Sequence, residues 1–233
     1  MQIEIWSDVV CPWCYIGKRR FEAALAGFAH RDDVRVTWRS FELDPGAPAH
    51  YPGTLTDLLA TKMRTTPAQA HAANARLTSL AAEDGLTYHL DQAQPGNTFD
   101  AHRLIHLAGV RGRQDAIKEA LLRAYFTDGA AIGDPETLVR IVSAAGLAAD
   151  EARAVLASDA YAADVRADER RAAEFGITGV PFVVIDERYG VSGAQATAVF
   201  RDTVETAWAA ARPLTMAGGA RAAETCADDS CAV

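Results

Sequence analysis

The residues best placed to do chemistry stand near the start of the chain, in Ser7-Asp8-Val9-Val10-Cys11-Pro12-Trp13-Cys14. Two thiols with two residues between them can close a small disulfide. Pro12 suits the first position of a helix, where no N–H is missed and its φ is already helical. Cys11 is then expected at the N-cap, with Cys14 about one turn deeper on the same face. A helix N-terminus offers unpaired N–H groups and a positive dipole end, and both stabilise a thiolate. This predicts a redox site in which Cys11 attacks and Cys14 resolves.

A metal site is the competing use of such a pair. Tetrahedral zinc takes four ligands, the body of the chain has no second CxxC, and a proline-led helix start is poor knuckle geometry. His102 and His106 have the i, i+4 spacing of helical metal ligands, but no acid or cysteine accompanies them in sequence. They read as surface or packing residues, and no metal is expected. Asp8 reads as a loop cap, with tuning of the thiolate as the alternative. Trp13 reads as a partly exposed apolar lip or as packing. The remaining cysteines, Cys226 and Cys231, lie in an Ala- and Gly-rich tail that has little to bury. About twenty such residues span on the order of 25 Å as a coil, enough to reach a disulfide on the same molecule.

The chain that must position these groups has 233 residues, 49% hydrophobic and 23% charged, with a formal net charge of -8. An acidic balance gives no electrostatic reason to expect a nucleic acid or an anionic membrane as partner. The start Met1-Gln2-Ile3-Glu4-Ile5-Trp6 has neither a basic nor a long apolar region, so no signal peptide is read and a cytoplasmic location is expected.

Gln2 to Trp6 and Val34 to Arg39 alternate as strands, and the stripe Cys14, Gly17, Phe21, Leu25, Phe28 between them has helical spacing. That is a βαβ unit with a parallel pair. After loop chemistry at residues 44–53, nearly everything to Phe175 reads as helix. Asn97 is expected to cap one helix with Asp100 at N3, Asp134-Pro135 starts another, and a charged helix runs from about Asp159 to Phe175. Strand periodicity returns in Phe182-Val183-Val184-Ile185 and Tyr189-Gly190-Val191-Ser192, followed by a helix carrying Ala196, Phe200, Val204 and Trp208. The prediction is an α/β protein with a four-stranded mixed sheet. Its core is residues 1–45 and 176–212, its helical insertion 54–175, and its tail 213–233.

This assembly, with CPWC after the first strand and Gly179-Val180-Pro181 before the third, resembles the thioredoxin superfamily. With Asn97-Thr98-Phe99-Asp100-Ala101-His102-Arg103-Leu104 it is similar to the DsbA-like branch, closest to its FrnE-type cytoplasmic members. The resemblance implies thiol–disulfide exchange on protein or peptide cysteines, with oxidase, reductase or isomerase direction set by redox potential. It also implies a cis peptide at Pro181, with Val180 pairing with extended substrate beside the disulfide. Phe99, His102 and Arg103 are then expected to line the cleft, and Cys226 and Cys231 to form a second redox pair. No cofactor beyond the disulfide is implied. Glutathione is a candidate co-substrate and a thioredoxin- or glutathione-type protein a candidate partner. Two alternatives stay open: a glutathione-dependent isomerase or kappa-type transferase, and a metal-binding module without enzymatic activity.

Overall fold

The computed structural model describes residues 1–211. Gln2–Ser7 forms β1, and its alternating side chains are buried on both faces. Ile3 and Ile5 join the main core with Phe21 and Phe200, whereas Trp6 packs into a second cluster with Ala172, Ile177 and Val184. A strand covered on both sides needs apolar residues in both of its alternating sets, and β1 has them. Beside it lies β2 (Arg35–Ser40) in parallel, with Ile5 opposite Trp38. On its other side β3 (Phe182–Ile185) runs antiparallel, followed outward by β4 (Tyr189–Ser192), so the order is β2-β1-β3-β4.

The parallel pair requires a crossover, which is α1 (Pro12–Ala26). Seven helices stand between β2 and β3: α2 (Leu55–Lys62), α3 (Pro67–Glu83), α4 (Phe99–Val110), α5 (Gln114–Phe126), α6 (Pro135–Ala144), α7 (Ala149–Leu156) and α8 (Ala162–Glu174). The last helix described, α9 (Thr197–Ala210), packs along α1, with Phe21 edge-on to Phe200 at 5.8 Å. On the opposite face of the sheet, α8 covers Trp6, whose indole Nε1 donates to the Asp168 carbonyl at 2.9 Å. The main core runs without a break from Ile3 and Ile5 of β1 into Leu104, Leu121 and Leu138 of the inserted helices.

Three details differ from the sequence-based expectation. The helix expected at Asn97 begins at Phe99, with Thr98 as its N-cap; the Asn97 carboxamide instead accepts from the Phe99 N–H at 2.9 Å. The run toward Phe175 is interrupted by a non-helical stretch at 84–98, where Leu86, Tyr88, Leu90 and Ala93 are buried without helical periodicity. The charged helix begins three residues later than expected and is preceded by a separate α7, because Tyr161 adopts a left-handed φ of 62° as its N-cap. Cys226 and Cys231 lie outside the described residues.

Candidate active site

Cys11 occupies the N-cap of α1 and Pro12 its first helical position, as the spacing predicts. The Cys14 N–H donates to the Cys11 carbonyl at 3.0 Å, closing the first turn. Both cysteines are free thiols and both are nearly covered, Cys11 at 4% and Cys14 at 1% exposure. Facing them is the Val180–Pro181 peptide, which is cis. The Cys11 thiol donates to the Val180 carbonyl at 3.5 Å. Trp13 projects from between the cysteines and is 43% exposed. Beside Val10 opens a groove of about 240 Å³ lined by Leu43, Tyr51, Leu55 and Leu58, with the Asp44–Lys62 ion pair among its walls.

Beneath the thiols lies a buried polar group assembled from four elements. The Asp8 carboxylate, fully buried, accepts from the Val9 N–H at 2.7 Å, the Leu43 N–H at 2.8 Å and His102 Nε2 at 3.2 Å. A carboxylate can only accept, so His102 carries a proton on Nε2. Burial favours the neutral acid, but the His102 and Leu43 hydrogen bonds and the Lys118 charge outweigh it and hold Asp8 below its ordinary value. Burial likewise keeps the His102 ring below its ordinary value, and therefore neutral at pH 7. Lys118 of α5 is 1% exposed; its Nζ donates to the Ser7 carbonyl at 3.2 Å and lies 5.8 Å from the Trp38 ring centroid. Desolvation lowers its pKa to about 8 despite the Cys14, Asp8 and Cys11 groups that favour its charge.

The two thiols titrate as a pair, because charge on either sulfur opposes charge on the other. Burial opposes charge on Cys14, yet the neighbouring Cys11 thiol and the Lys118 charge bring it below the ordinary thiol value. Cys11 is held well above that value by its hydrogen bond to Cys14, by burial and by the negative field of Asp8. The helix dipole therefore does not by itself make Cys11 the more acidic thiol.

The insertion braces this site at two further places. The Tyr88 hydroxyl donates to the Pro12 carbonyl at 2.7 Å, and its ring stacks on Phe126 at 4.7 Å. Glu119 of α5 accepts from the Tyr15 hydroxyl at 2.6 Å and Arg19 Nη1 at 2.9 Å on α1.

The three residues expected to line the cleft do not share a wall. His102 lies beneath the redox pair rather than on the surface. Arg103 is buried and faces away, because its guanidinium is consumed by the Ala160, Val155 and Ser158 carbonyls and by Asp100. Phe99 lies under the Arg166 guanidinium, 4.5 Å from ring centroid to Cζ. His106 is also far from a metal-ligand role, with Nε2 placed 3.1 Å from Ser40 Oγ and 3.1 Å from Asp168 Oδ2. Among the described residues no three His, Cys, Asp or Glu side chains cluster as a metal site, and no helix is long and apolar enough to cross a membrane. Lys118 and Tyr88 were not apparent as site residues in the sequence. A signal for Lys118 existed: it falls on the buried stripe with Leu121, Leu122 and Tyr125, where a lysine is out of place.

The fold recurs among known proteins. A probable DsbA oxidoreductase from Streptomyces coelicolor is 49% identical, with a TM-score of 0.89, covering 100% of this chain and 99% of its own. The uncharacterized Bacillus subtilis protein YwbO is 26% identical over 207 residues, 88% of this chain and 96% of its own. At 18% identity and a TM-score of 0.60, the cytosolic disulfide reductase DsbM from Pseudomonas aeruginosa shares the fold over 90% of this chain and 100% of its own. The family model of the DSBA-like thioredoxin domain matches residues 2–205, and the chain belongs to that family of disulfide oxidoreductases.

Proposed function

We propose that the protein exchanges dithiol for disulfide with protein or peptide cysteines through Cys11 and Cys14. The observation that carries this reading is the Cys11 thiol hydrogen-bonded to the Val180 carbonyl at the mouth of the site, with Cys14 one turn behind it. In the reducing direction Cys11, the outer thiol, gives up its proton and becomes the nucleophile, while Cys14 keeps its own. Its sulfur attacks one sulfur of R–S–S–R′, forming Cys11–S–S–R and releasing R′S⁻. Cys14 then loses its proton and attacks the Cys11 sulfur, closing the Cys11–Cys14 disulfide and releasing RS⁻. Two electrons pass from the dithiol to the substrate, and the two thiol protons end on the two product thiols.

The disulfide is itself the redox group, and either two glutathione thiols or one thioredoxin-type dithiol resets it. The apolar groove beside Val10 supports a peptide rather than a bare small thiol as substrate. We place the reaction in the cytoplasm, in keeping with the fold-level likeness to a cytosolic disulfide reductase.

Cys11→Ser is expected to reduce the rate of insulin disulfide reduction at least about 100-fold, since no outer nucleophile remains. Cys14→Ser is expected to accumulate the Cys11–substrate mixed disulfide, detected by mass spectrometry after alkylation. Full activity in Cys11→Ser would overturn the assignment.

A further inference from the structure

Lys118 is a primary amine shut in the core of the molecule, on a helix that belongs to the insertion rather than to the β-α-β unit carrying the cysteines. Among the described residues its one hydrogen bond is to the Ser7 carbonyl, which leaves two of its three N–H donors without a partner there. Burying an ammonium is costly unless a negative charge lies close by. The groups that face it are few. Asp8 approaches from the loop before Cys11, Cys14 and Cys11 from the start of α1, and the neutral His102 from α4. Across the Trp38 ring lies a second buried lysine, Lys18, also 5.8 Å from the ring centroid. Lys18 is already satisfied by Glu22, Asp115 and Glu119. Asp8 is largely satisfied too, by two backbone N–H groups and His102. The remaining unmatched anion of this pocket is the one that chemistry creates, a thiolate on Cys14.

We infer that Lys118 is a positioning residue for the exchange reaction, supplying the counter-charge that stabilises the Cys14 thiolate in the resolving step. The inference rests on the proposed exchange reaction and adds a residue to it. In the mixed disulfide Cys11 carries no proton, and Cys14 is the one thiol left in the pair. The Cys14 S–H must still ionise, in a pocket with little water. Lys118 then provides a full positive charge toward that sulfur, and Lys18, which lines the same small cavity, is already engaged by its own carboxylates. The Cys14 proton passes to the departing substrate thiolate, the Cys14 sulfur bonds to Cys11 Sγ, and the Cys11–S–R bond breaks. Lys118 keeps its own protons throughout, so no further acid, oxidant or reductant is required.

The test compares the wild type with K118M, which keeps the length and loses the charge, and with D8N, which removes the opposing charge. Thiolate absorbance near 240 nm is followed against pH in the reduced proteins. Lifetimes of a mixed disulfide with a cysteine-containing peptide are followed by rapid quench and mass spectrometry. K118M is expected to raise the first thiol pKa by about one to three units and to prolong the mixed disulfide at least about tenfold at pH 7. D8N is expected to lower the thiol pKa. A purely structural role would shift neither titration, or both in the same direction. Unchanged titration and lifetime in K118M would overturn the inference, as would a D8N titration that fails to fall should K118M not fold. The exchange reading itself fails on a different result, activity retained in Cys11→Ser.

Discussion

At the scale of single residues, the site depends on one carboxylate. Asp8 joins the loop before the cysteines, the strand-to-helix connection at Leu43, and α4 at His102, all through acceptor bonds inside the core. Removing a buried acceptor leaves its donors unsatisfied, each costing about 1–3 kcal/mol. Asp8→Ala strands two backbone N–H groups and an imidazole, and is expected to lower stability by about 3 kcal/mol or more, read as a shift in urea midpoint. Asp8→Asn retains one acceptor oxygen and is expected to lose less. The carboxylate was visible in the sequence as three residues from Cys11, and a loop cap is part of what it does. Its other partners, His102 and Leu43, are 94 and 35 residues away, and no local periodicity could have named them.

At the scale of elements, α1 holds the redox pair against the Val180–Pro181 loop. The contact is close enough that Gly17 is required: a Cβ there would lie 2.9 Å from Pro181 Cγ and 3.5 Å from the Ala194 side chain. Pro181 sits at the end of a short strand and cannot yield without moving β3. Gly17→Ala is therefore expected to cost about 1–3 kcal/mol and to slow exchange, since α1 must shift away from Val180. Thermal unfolding and insulin reduction measured on the same preparation check both parts. The β-α-β start, both later strands and α9 were legible because their periods and punctuating residues are strong. The stretch 84–98 was not, because its buried Leu86, Tyr88 and Leu90 reach the core from irregular backbone. Such burial follows from the helices around it rather than from any repeat of its own.

At the scale of the whole molecule, the end of β2 is tied to α8 by a charged group that senses pH. The Glu42 side chain is buried, one of its oxygens lacks a partner among the described residues, and Arg166 bridges it to Glu169. Burial, opposed by Arg166 and reinforced by Glu169, pushes the Glu42 carboxyl up from 4.5 to about 7. The folded value exceeds the unfolded one, so within that window the native state holds a proton the unfolded chain has lost. Stability consequently decreases as pH rises through the window, by on the order of 2 kcal/mol. Urea midpoints at pH 5 and pH 8 should show the loss, and Glu42→Gln, uncharged at both, should flatten it.

The hydroxyl of Tyr88 on the Pro12 carbonyl is a small contact with a wider consequence. Inserted segments in a fold are often regarded as cassettes, exchangeable among relatives as long as the ends meet. Here the segment reaches back to fasten the peptide between the two cysteines, and α5 places an ammonium beneath them. A foreign insert of equal length would restore the chain path and leave the redox centre unfastened. Grafting the CPWC loop onto a different insertion is therefore expected to need the Tyr88 and Lys118 contacts carried over with it.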